Sequence, residues 1–264
     1  MTVRIWGVVN VTPDSFSDGG RYSATGAAVA KGLSLIRAGA HVLDIGGEST
    51  RPGADPVSEA EEIARVVPVI EGLREAGATV PLSIDTAKPA VARSAVAAGA
   101  AVWNDVTALQ GSGAAETAAN LGCGVVLMHM QGEPRTMQAA PAYSDVVTEV
   151  ETFLISRAEA AVTASVRREA IVLDPGIGFG KTLEHNLALL RALPRLASHG
   201  YPLLVGASRK RSIQLIDPTA LSSDDRLGGS LAFALWAAAH GAAAVRVHDV
   251  RETAQALAVW SALG

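Results

Sequence analysis

The sequence repeats one pattern along its length: a short apolar run, a polar turn, a stretch with helical periodicity and then a glycine. Valine, isoleucine, leucine and alanine dominate the apolar runs, and short runs of this kind are typical of strands buried on both faces of a parallel sheet. There are eight such runs, at residues 5–9, 42–45, 82–84, 101–103, 125–128, 171–173, 203–205 and 243–247.

Eight evenly spaced β-α units in 264 residues predict an α/β fold, a single (β/α)8 (TIM) barrel. The alternative is a doubly wound open sheet, but the unbroken spacing of the units favours closure. No linker or low-complexity segment interrupts the series, so we expect one domain over residues 1–264.

The composition narrows the class of protein. With 49% hydrophobic and 18% charged residues the chain can bury a large core, and a net charge of −4 without a basic run argues against nucleic-acid binding. The longest apolar run, residues 231–239, is too short to span a bilayer, and the N-terminus lacks a signal-peptide pattern. We therefore expect a cytoplasmic protein with no nucleic-acid or membrane partner, in which the single cysteine, Cys123, is a buried thiol.

Polar or charged residues stand at the end of the apolar runs or just after them. In a (β/α)8 barrel the active site forms at the C-terminal ends of the strands, so these residues are predicted to meet at one rim. A single Asp there often only caps the following helix, but eight converging strand ends indicate a site. In chain order the residues are Asn10, Asp44, Asp85, Asn104 with Asp105, His129, Asp174, Ser208 to Lys210, and Arg246 with His248.

The rim residues fall into two chemical groups. One group offers acceptors near the barrel axis, which suit a flat heterocycle with several N–H donors: Asp85, Asn104 and Asp174. The other suits phosphate groups and a divalent cation: Asn10, Lys210, Arg246 and His248. Together they predict a polar heterocycle joined to a phosphate ester. We expect Asp44 to fix the loop after the second strand, Asp105 to be structural, and His129 to orient a neighbour.

A glycine-rich turn follows Asp174 and ends at Lys181. It is not a Walker A phosphate loop, because Pro175 stands where that motif requires a glycine. We expect its glycines to have a steric role, letting Phe179 and Lys181 approach a ligand.

These polar segments resemble, in order, the motif set of the bacterial dihydropteroate synthase family, from residue 5 to residue 250. No single motif would suffice, but eight in register are specific. The matching segments are 10–20, 46–53, 83–86, 104–106, 127–132, 174–176 with 180–181, 206–210 and 246–248.

The resemblance implies a transferase that joins 6-hydroxymethyl-7,8-dihydropterin diphosphate to 4-aminobenzoate, giving 7,8-dihydropteroate and diphosphate. This reaction is a step of folate biosynthesis and the target of sulfonamides. The resemblance also implies a Mg²⁺ cofactor with Asn10 as ligand, and a homodimer formed through the last helices, for which residues 231–239 and 253–263 are candidates.

The resemblance further assigns residues to each substrate. It places the pterin against Asp85, Asn104, Met128, Asp174 and Lys210. It places the diphosphate against Asn10, Arg246 and His248. It places the aminobenzoate against Phe16, Thr50, Arg51, Phe179 and Ser208, with Lys181 beside them. The residues it implies as catalytic are Asp18, Arg51 and Lys210.

Two alternatives share the pterin-reading residues. A pterin-dependent methyltransferase should lack segments 50–52 and 208–210, and this chain has both. A non-catalytic pterin-binding paralogue should have lost Asp18, Arg51 or Lys210, and all three are present.

Overall fold

The computed structural model describes residues 3–11, 20–49, 55–133 and 135–263, with the backbone alone for 20–23. Strands and helices alternate, as predicted. The strands are β1 (Arg4–Asn10), β2 (Val42–Gly46), β3 (Leu82–Asp85), β4 (Val102–Asp105), β5 (Gly124–Met128), β6 (Ile171–Asp174), β7 (Leu204–Val205) and β8 (Ala244–Val247). The helices are α1 (Gly20–Arg37), α2 (Glu59–Glu75), α3 (Pro89–Ala97), α4 (Ala114–Leu121), α5 (Val146–Thr163), α6 (Leu183–Arg191), α7 (Leu193–Ala197), α8 (Arg211–Ile216), α9 (Leu227–Ala239) and α10 (Val250–Leu263).

The strands form one parallel sheet in the order β6-β5-β4-β3-β2-β1-β8-β7. A parallel bridge between Leu173 and Leu203 joins the β6 edge to the chain that enters β7. The Leu173 N–H also donates to the Pro202 carbonyl at 2.9 Å. The sheet therefore closes on itself, which confirms the (β/α)8 barrel and excludes the doubly wound alternative.

Four strands, β1, β3, β4 and β6, extend past the C-terminal end of the predicted apolar run and end in a polar residue. Asn10 pairs with Gly46 of β2, which in turn pairs with Asp85 of β3. Asp85 pairs with Asn104 of β4. Because ladder hydrogen bonds fix the backbone at these positions, the side chains leave the rim from rigid points.

Side chains alternate along each strand between the barrel interior and the helix layer. An apolar cluster fills the interior below the rim: Trp6, Val42, Val126, Leu204 and Ala244, with Val102 and Val172 packed against it. The residues two positions later on these strands face the same interior. Four of them are polar, Asp44, Asn104, Asp174 and Arg246, and two are apolar, Val8 and Met128. A polar layer thus lies on an apolar floor that excludes water from beneath it.

Several helices begin or end at residues suited to those positions. Ser58 Oγ accepts the Glu61 N–H at 3.2 Å at the start of α2. Pro194 lies in the first turn of α7, directly after α6 ends, whereas α2 continues past Pro68 to Glu75. The glycines predicted to follow helices all have positive φ: Gly39, Gly77, Gly99, Gly122, Gly200 and Gly241.

The cysteine and the helices were both the subject of expectations from composition. Cys123 is buried, as predicted. Within the described parts of the chain, none of the helices combines the length and the apolar character needed to cross a membrane.

Candidate active site

One guanidinium links the polar side chains of the rim. Arg246 Nε lies 2.5 Å from Asp44 Oδ2, and Arg246 Nη2 lies 2.7 Å from Asp85 Oδ2. Asn104 donates a side-chain N–H to the same Asp44 oxygen at 3.1 Å. Side chains from β2, β3, β4 and β8 therefore form a single network. Because a guanidinium stays charged, the two carboxylates share one permanent positive partner.

Asp44 has a different role from the predicted one. It is fully buried, and its described contacts are with Asn104 and Arg246 rather than with the loop after β2. Asp105 is structural, as predicted, because its carboxylate accepts the N–H groups of Thr107 and Leu109, both at 2.8 Å. Asp44 thus acts on the site itself, by holding two of the residues assigned to substrates.

Asp174 ends β6 as a buried carboxylate. Its Oδ1 accepts the Gly176 N–H at 2.7 Å. Burial raises the pKa of Asp174 to about 6, while the Gly176 amide and then the cations of Lys210 and Arg246 oppose the shift. The carboxyl is therefore mostly ionised at pH 7 and remains an acceptor for a ligand in the barrel mouth.

Asp85 shows the same competition between burial and charge. Burial raises its pKa to about 7, the positive charge of Arg246 opposes the rise, and the neighbouring Asp44 adds to it. The ion pair with Arg246 is what keeps a second carboxylate available at the rim.

Lys210 lies against Phe179, so two residues assigned to different substrates are in contact. Lys210 Nζ is 4.0 Å from the centroid of the Phe179 ring, which is a cation–π geometry. Burial lowers the pKa of Lys210 to about 8, Arg246 lowers it further, and Asp174 opposes the shift. The pair marks the boundary between the predicted pterin and aminobenzoate sites.

Ser208 and His248 also join two predicted sites. Ser208 Oγ accepts the His248 backbone N–H at 3.2 Å and lies 3.1 Å from His248 Nδ1, to which its own hydrogen can be donated. This assignment places the ring proton of a neutral His248 on Nε2. Burial, followed by the positive charge of Arg246, lowers the pKa of His248 to about 3. His248 is therefore neutral near pH 7 and offers a hydrogen-bond donor rather than a charge.

Arg209 belongs to the site, although no role was predicted for it from the sequence. Its φ is +59°, a left-handed conformation that a non-glycine residue adopts at a cost. Its guanidinium makes two hydrogen bonds to Asp249, at 3.0 and 2.6 Å, and its backbone N–H donates to Ser230 Oγ at 2.9 Å. These contacts hold the strained backbone between Ser208 and Lys210, so they aim both side chains. Its position inside a matching segment was the only sequence signal.

The glycines after Asp174 do not have the predicted role. A Cβ on Gly176 would lie 1.9 Å from the His129 carbonyl oxygen, and one on Gly180 would lie 2.3 Å from the Gln131 carbonyl oxygen. Both glycines have positive φ, +67° and +62°. They let the turn pack against the backbone that follows β5, rather than against a ligand.

Lys181 is turned into the protein, so its predicted approach to the second substrate is wrong. Its side chain is only 3% exposed, and Nζ lies 3.0 Å from His129 Nδ1, 3.0 Å from the Phe179 carbonyl and 3.3 Å from the His129 carbonyl. Burial lowers the pKa of Lys181 to about 7, and burial together with Lys181 lowers that of His129 to about 3. His129 does orient a neighbour, as predicted, and the neighbour is Lys181.

The remaining predicted residues divide into two sets. Asn10 ends β1, and Met128 is buried at the end of β5, opposite Asp174 in the ladder. Within the residues that the structure describes, no three His, Cys, Asp or Glu side chains are grouped so that they could hold a metal ion. Four predicted residues lie outside the described residues: Phe16, Asp18, Thr50 and Arg51.

Comparisons with known proteins agree with this geometry. A family model described as "Pterin binding enzyme" matches residues 6–248. The dihydropteroate synthase of Neisseria meningitidis serogroup B is 50% identical, over 99% of this chain and 93% of that protein. The solved Xanthomonas albilineans dihydropteroate synthase with 4-aminobenzoic acid is 52% identical with a TM-score of 0.93, covering 99% and 93% of the two chains. The Yersinia pestis enzyme, solved as a sulfonamide drug complex, is 45% identical with a TM-score of 0.93, covering 99% and 94%.

The barrel, the acceptors at its rim and the family match define a pterin-binding enzyme. Within that class, the chain belongs to the bacterial dihydropteroate synthase family. The similarity to synthases extends over nearly the whole chain, which disfavours the methyltransferase and the non-catalytic paralogue that the sequence alone left open.

Replacing Asp44 with asparagine tests the network around Arg246. In Asp44→Asn the guanidinium loses one of its two buried charge partners, so we expect the free energy of unfolding to fall by about 3 kcal/mol. We also expect weaker pterin binding, because Asn104 and Arg246 lose their shared anchor. Urea unfolding and a binding titration measure the two effects. Glu169→Gln, which removes an exposed ion pair with Arg167, is the control and should change neither. An unfolding midpoint for Asp44→Asn equal to that of the wild type contradicts this account.

Two glycines with the same backbone conformation test the close approach of the turn. Gly113 has φ +68° with open space around its missing Cβ, so Gly113→Ala should cost only the left-handed strain, about 1 kcal/mol. Gly176→Ala adds a clash with the His129 carbonyl and should lower the free energy of unfolding by about 3 kcal/mol or more. Equal costs in chemical denaturation would show that the turn does not need this approach.

Proposed function

We propose that the chain is a transferase that condenses 6-hydroxymethyl-7,8-dihydropterin diphosphate with 4-aminobenzoate, releasing diphosphate and forming 7,8-dihydropteroate for folate biosynthesis. The observation that supports this most directly is the rim itself, where buried acceptors on rigid strand ends share one mouth with the Lys210–Phe179 pair. Relatives named dihydropteroate synthase are similar to this chain over 99% of its length.

The acceptors suit the N–H-rich edge of a pterin. Asp174 keeps an oxygen for a ligand, since only Oδ1 is used by the Gly176 amide among the described residues. Asp44 takes an N–H of Asn104, which leaves the carbonyl oxygen of that amide as the end available to a ligand. In this proposal Asp174, Asn104 and Asp85 bind the ring nitrogens, and Lys210 binds the carbonyl side.

The diphosphate would lie beside Arg246 and His248. Among the described residues, Arg246 is engaged through Nε and Nη2, so Nη1 is the nitrogen available to a phosphate oxygen. His248 is neutral and would contribute an Nε2–H donor, so the permanent charge here comes from Arg246. These donors stabilise the negative charge that develops as the C–O bond to diphosphate breaks.

A Mg²⁺ ion fits the donor set at this rim. Mg²⁺ is often held by one or two protein oxygens together with substrate phosphates and water, which agrees with a single amide oxygen at Asn10 and no cluster of carboxylates among the described residues. When bound, it would neutralise charge on the leaving diphosphate.

The second substrate needs little activation. The aryl amine of 4-aminobenzoate is neutral at pH 7 and attacks without a strong base, so the lack of an obvious base at the rim is compatible with this reaction. In the proposal Ser208 and Phe179 border its site, with Thr50, Arg51 and Phe16 from the loops outside the described residues. The cation of Lys210 over Phe179 would lie between the two substrates.

A homodimer through the last two helices is part of the same proposal. Trp236 on α9 is 43% exposed, and Trp260 on α10 is 49% exposed. Val259 and Leu263 extend the exposed apolar face along α10. Large apolar side chains exposed on two helices that pack together are a common feature of interfaces between subunits. We also place the protein in the cytoplasm, where a reduced Cys123 is expected; fractionation of cells against marker enzymes tests this.

A coupled assay tests the reaction. The purified protein should release diphosphate and form dihydropteroate only when both substrates and Mg²⁺ are present, and EDTA should abolish the product detected by chromatography. Asp174→Asn should weaken pterin binding at least about tenfold, because a charged acceptor is lost. Glu169→Gln, far from the rim, should match the wild type. Absence of product from folded wild-type protein rules out the proposed reaction.

Sedimentation velocity tests the dimer. We expect a dimer at micromolar concentration, and Trp260→Glu should raise its dissociation constant at least about thirtyfold by placing a charge in an apolar contact. Val162→Glu, at an exposed apolar position near the end of α5, is the matched control and should leave the dimer intact. A wild-type protein that sediments as a monomer rejects this interface.

A further inference from the structure

The turn after β6 presents three consecutive backbone carbonyls, at residues 178–180, and each accepts a hydrogen bond from a side chain. Gln138 Nε2 donates to the first at 2.6 Å, Lys181 Nζ to the second at 3.0 Å, and Tyr143 Oη–H to the third at 2.8 Å. Gln138 and Tyr143 come from the long segment between β5 and α5. A turn whose carbonyls are bound by side chains, two of them from another segment, has its path fixed by those donors.

The segment that supplies these donors is itself braced. Gln131 and Ala142 exchange two hydrogen bonds, at 2.8 and 3.0 Å, which join the two ends of the segment. Met137 between them is buried, with 5% of its surface exposed. Gln138 and Tyr143 therefore act from a fixed support rather than from a free loop.

The other side of the turn faces the two substrate sites. Asn186 Oδ1 accepts the Gly178 N–H at 2.7 Å, and a Cβ on Gly178 would lie 3.1 Å from Lys210 Cδ. The next residue, Phe179, lies with its ring 4.0 Å from Lys210 Nζ. Any shift of residues 178–180 moves the Phe179 ring relative to the Lys210 amine.

We propose that Gln138, Tyr143 and Lys181 are positioning residues for the second substrate. By holding the carbonyls of residues 178–180 they set the place of the Phe179 ring, and with it the shape of the aminobenzoate site. The inference rests on the proposed function, in which Phe179 borders that site. The three side chains bind peptide carbonyls through the turn, so their effect on the reaction is indirect.

The physical reason lies in the backbone of the turn. Gly178 and Gly180 have positive φ, +82° and +62°, so this stretch is not part of a helix or strand that would pair its own carbonyls. An unpaired carbonyl in a partly buried place costs free energy, and the turn relaxes toward water when a donor is removed. A displacement of about 1 Å is enough to impair a substrate site.

Tyr143→Phe is the main test, because it removes one hydroxyl and leaves the ring. We expect the KM for 4-aminobenzoate to rise about fivefold, which corresponds to one lost hydrogen bond. The kcat at saturation and the Kd for the pterin diphosphate should stay within about twofold, since the strand ends that bind the pterin are untouched. Tyr201→Phe is the matched control: its hydroxyl accepts from Arg168 at 2.5 Å at the opposite end of the barrel, and it should change neither constant.

Two further variants extend the test. Gln138→Leu should raise the same KM to a similar extent, and the double variant should be at least as impaired as the product of the two single effects. Lys181→Met should have the largest effect on KM, because it leaves the Phe179 carbonyl and two His129 atoms without their donor. If Lys181→Met does not fold, Tyr143→Phe and Gln138→Leu still decide the matter.

Hydrogen exchange provides a readout that does not depend on activity. Amides of residues 175–182 should exchange faster in Tyr143→Phe than in the wild type, and at the wild-type rate in Tyr201→Phe. The inference is overturned if Tyr143→Phe and Gln138→Leu leave both the KM for 4-aminobenzoate and this exchange unchanged, or if they weaken pterin binding as much as they raise that KM. A wild-type protein that forms no dihydropteroate overturns the proposed function, and the role for the second substrate falls with it.

Discussion

The barrel mouth depends on the pairing of Arg246 with Asp44 and Asp85. Three carboxylates with little exposure, these two and Asp174, converge there, and without a cation beside them they would repel one another. The guanidinium reaches from β8 across β1 to β2 and β3, and it cannot lose its charge. It therefore holds the carboxylate acceptors in place above an apolar layer, which offers them no hydrogen bonds from below. The same pairing fixes Asp44, and Asp44 fixes which end of the Asn104 amide is available to a ligand.

The fold and the identity of the residues at the rim were predictable, because both follow from the spacing of the apolar runs and from the polar residues at their ends. Apolar runs of strand length, each followed by a helix, leave few architectures, and the barrel geometry then places Asp85, Asn104 and Asp174 together. The contacts among rim residues were not predictable in this way. From its neighbours in sequence Asp44 was expected to hold the loop after β2, and its partner in the structure, Arg246, lies 202 positions later in the chain. Likewise the glycines after Asp174 look like a ligand-binding turn until the backbone after β5 is seen to lie against them.

Backbone support differs around the rim, and side chains compensate where it is weak. The ladder carries Asn10, Asp85 and Asn104, so no further device is needed to hold their backbone. β7 has only two residues, and the chain after it leaves the sheet before reaching Lys210. Beyond β7 the backbone is held by the bidentate ion pair of Arg209 with Asp249 instead of by ladder hydrogen bonds. This pair stabilises the left-handed backbone conformation of Arg209.

This difference separates the two substrate sites energetically. The acceptors that we assign to the pterin project from strands whose positions are set by the closed sheet, so their geometry should resist changes elsewhere in the protein. The Phe179 side of the mouth is built on a turn held by side chains from the segment after β5, and each of those contacts is a single hydrogen bond. If Phe179 borders the second substrate, as we propose, substitutions in that segment alter its recognition while the acceptors on the strands stay in place. A barrel that must bind one ligand with fixed geometry and a second ligand beside it can in this way vary one site without rebuilding the other.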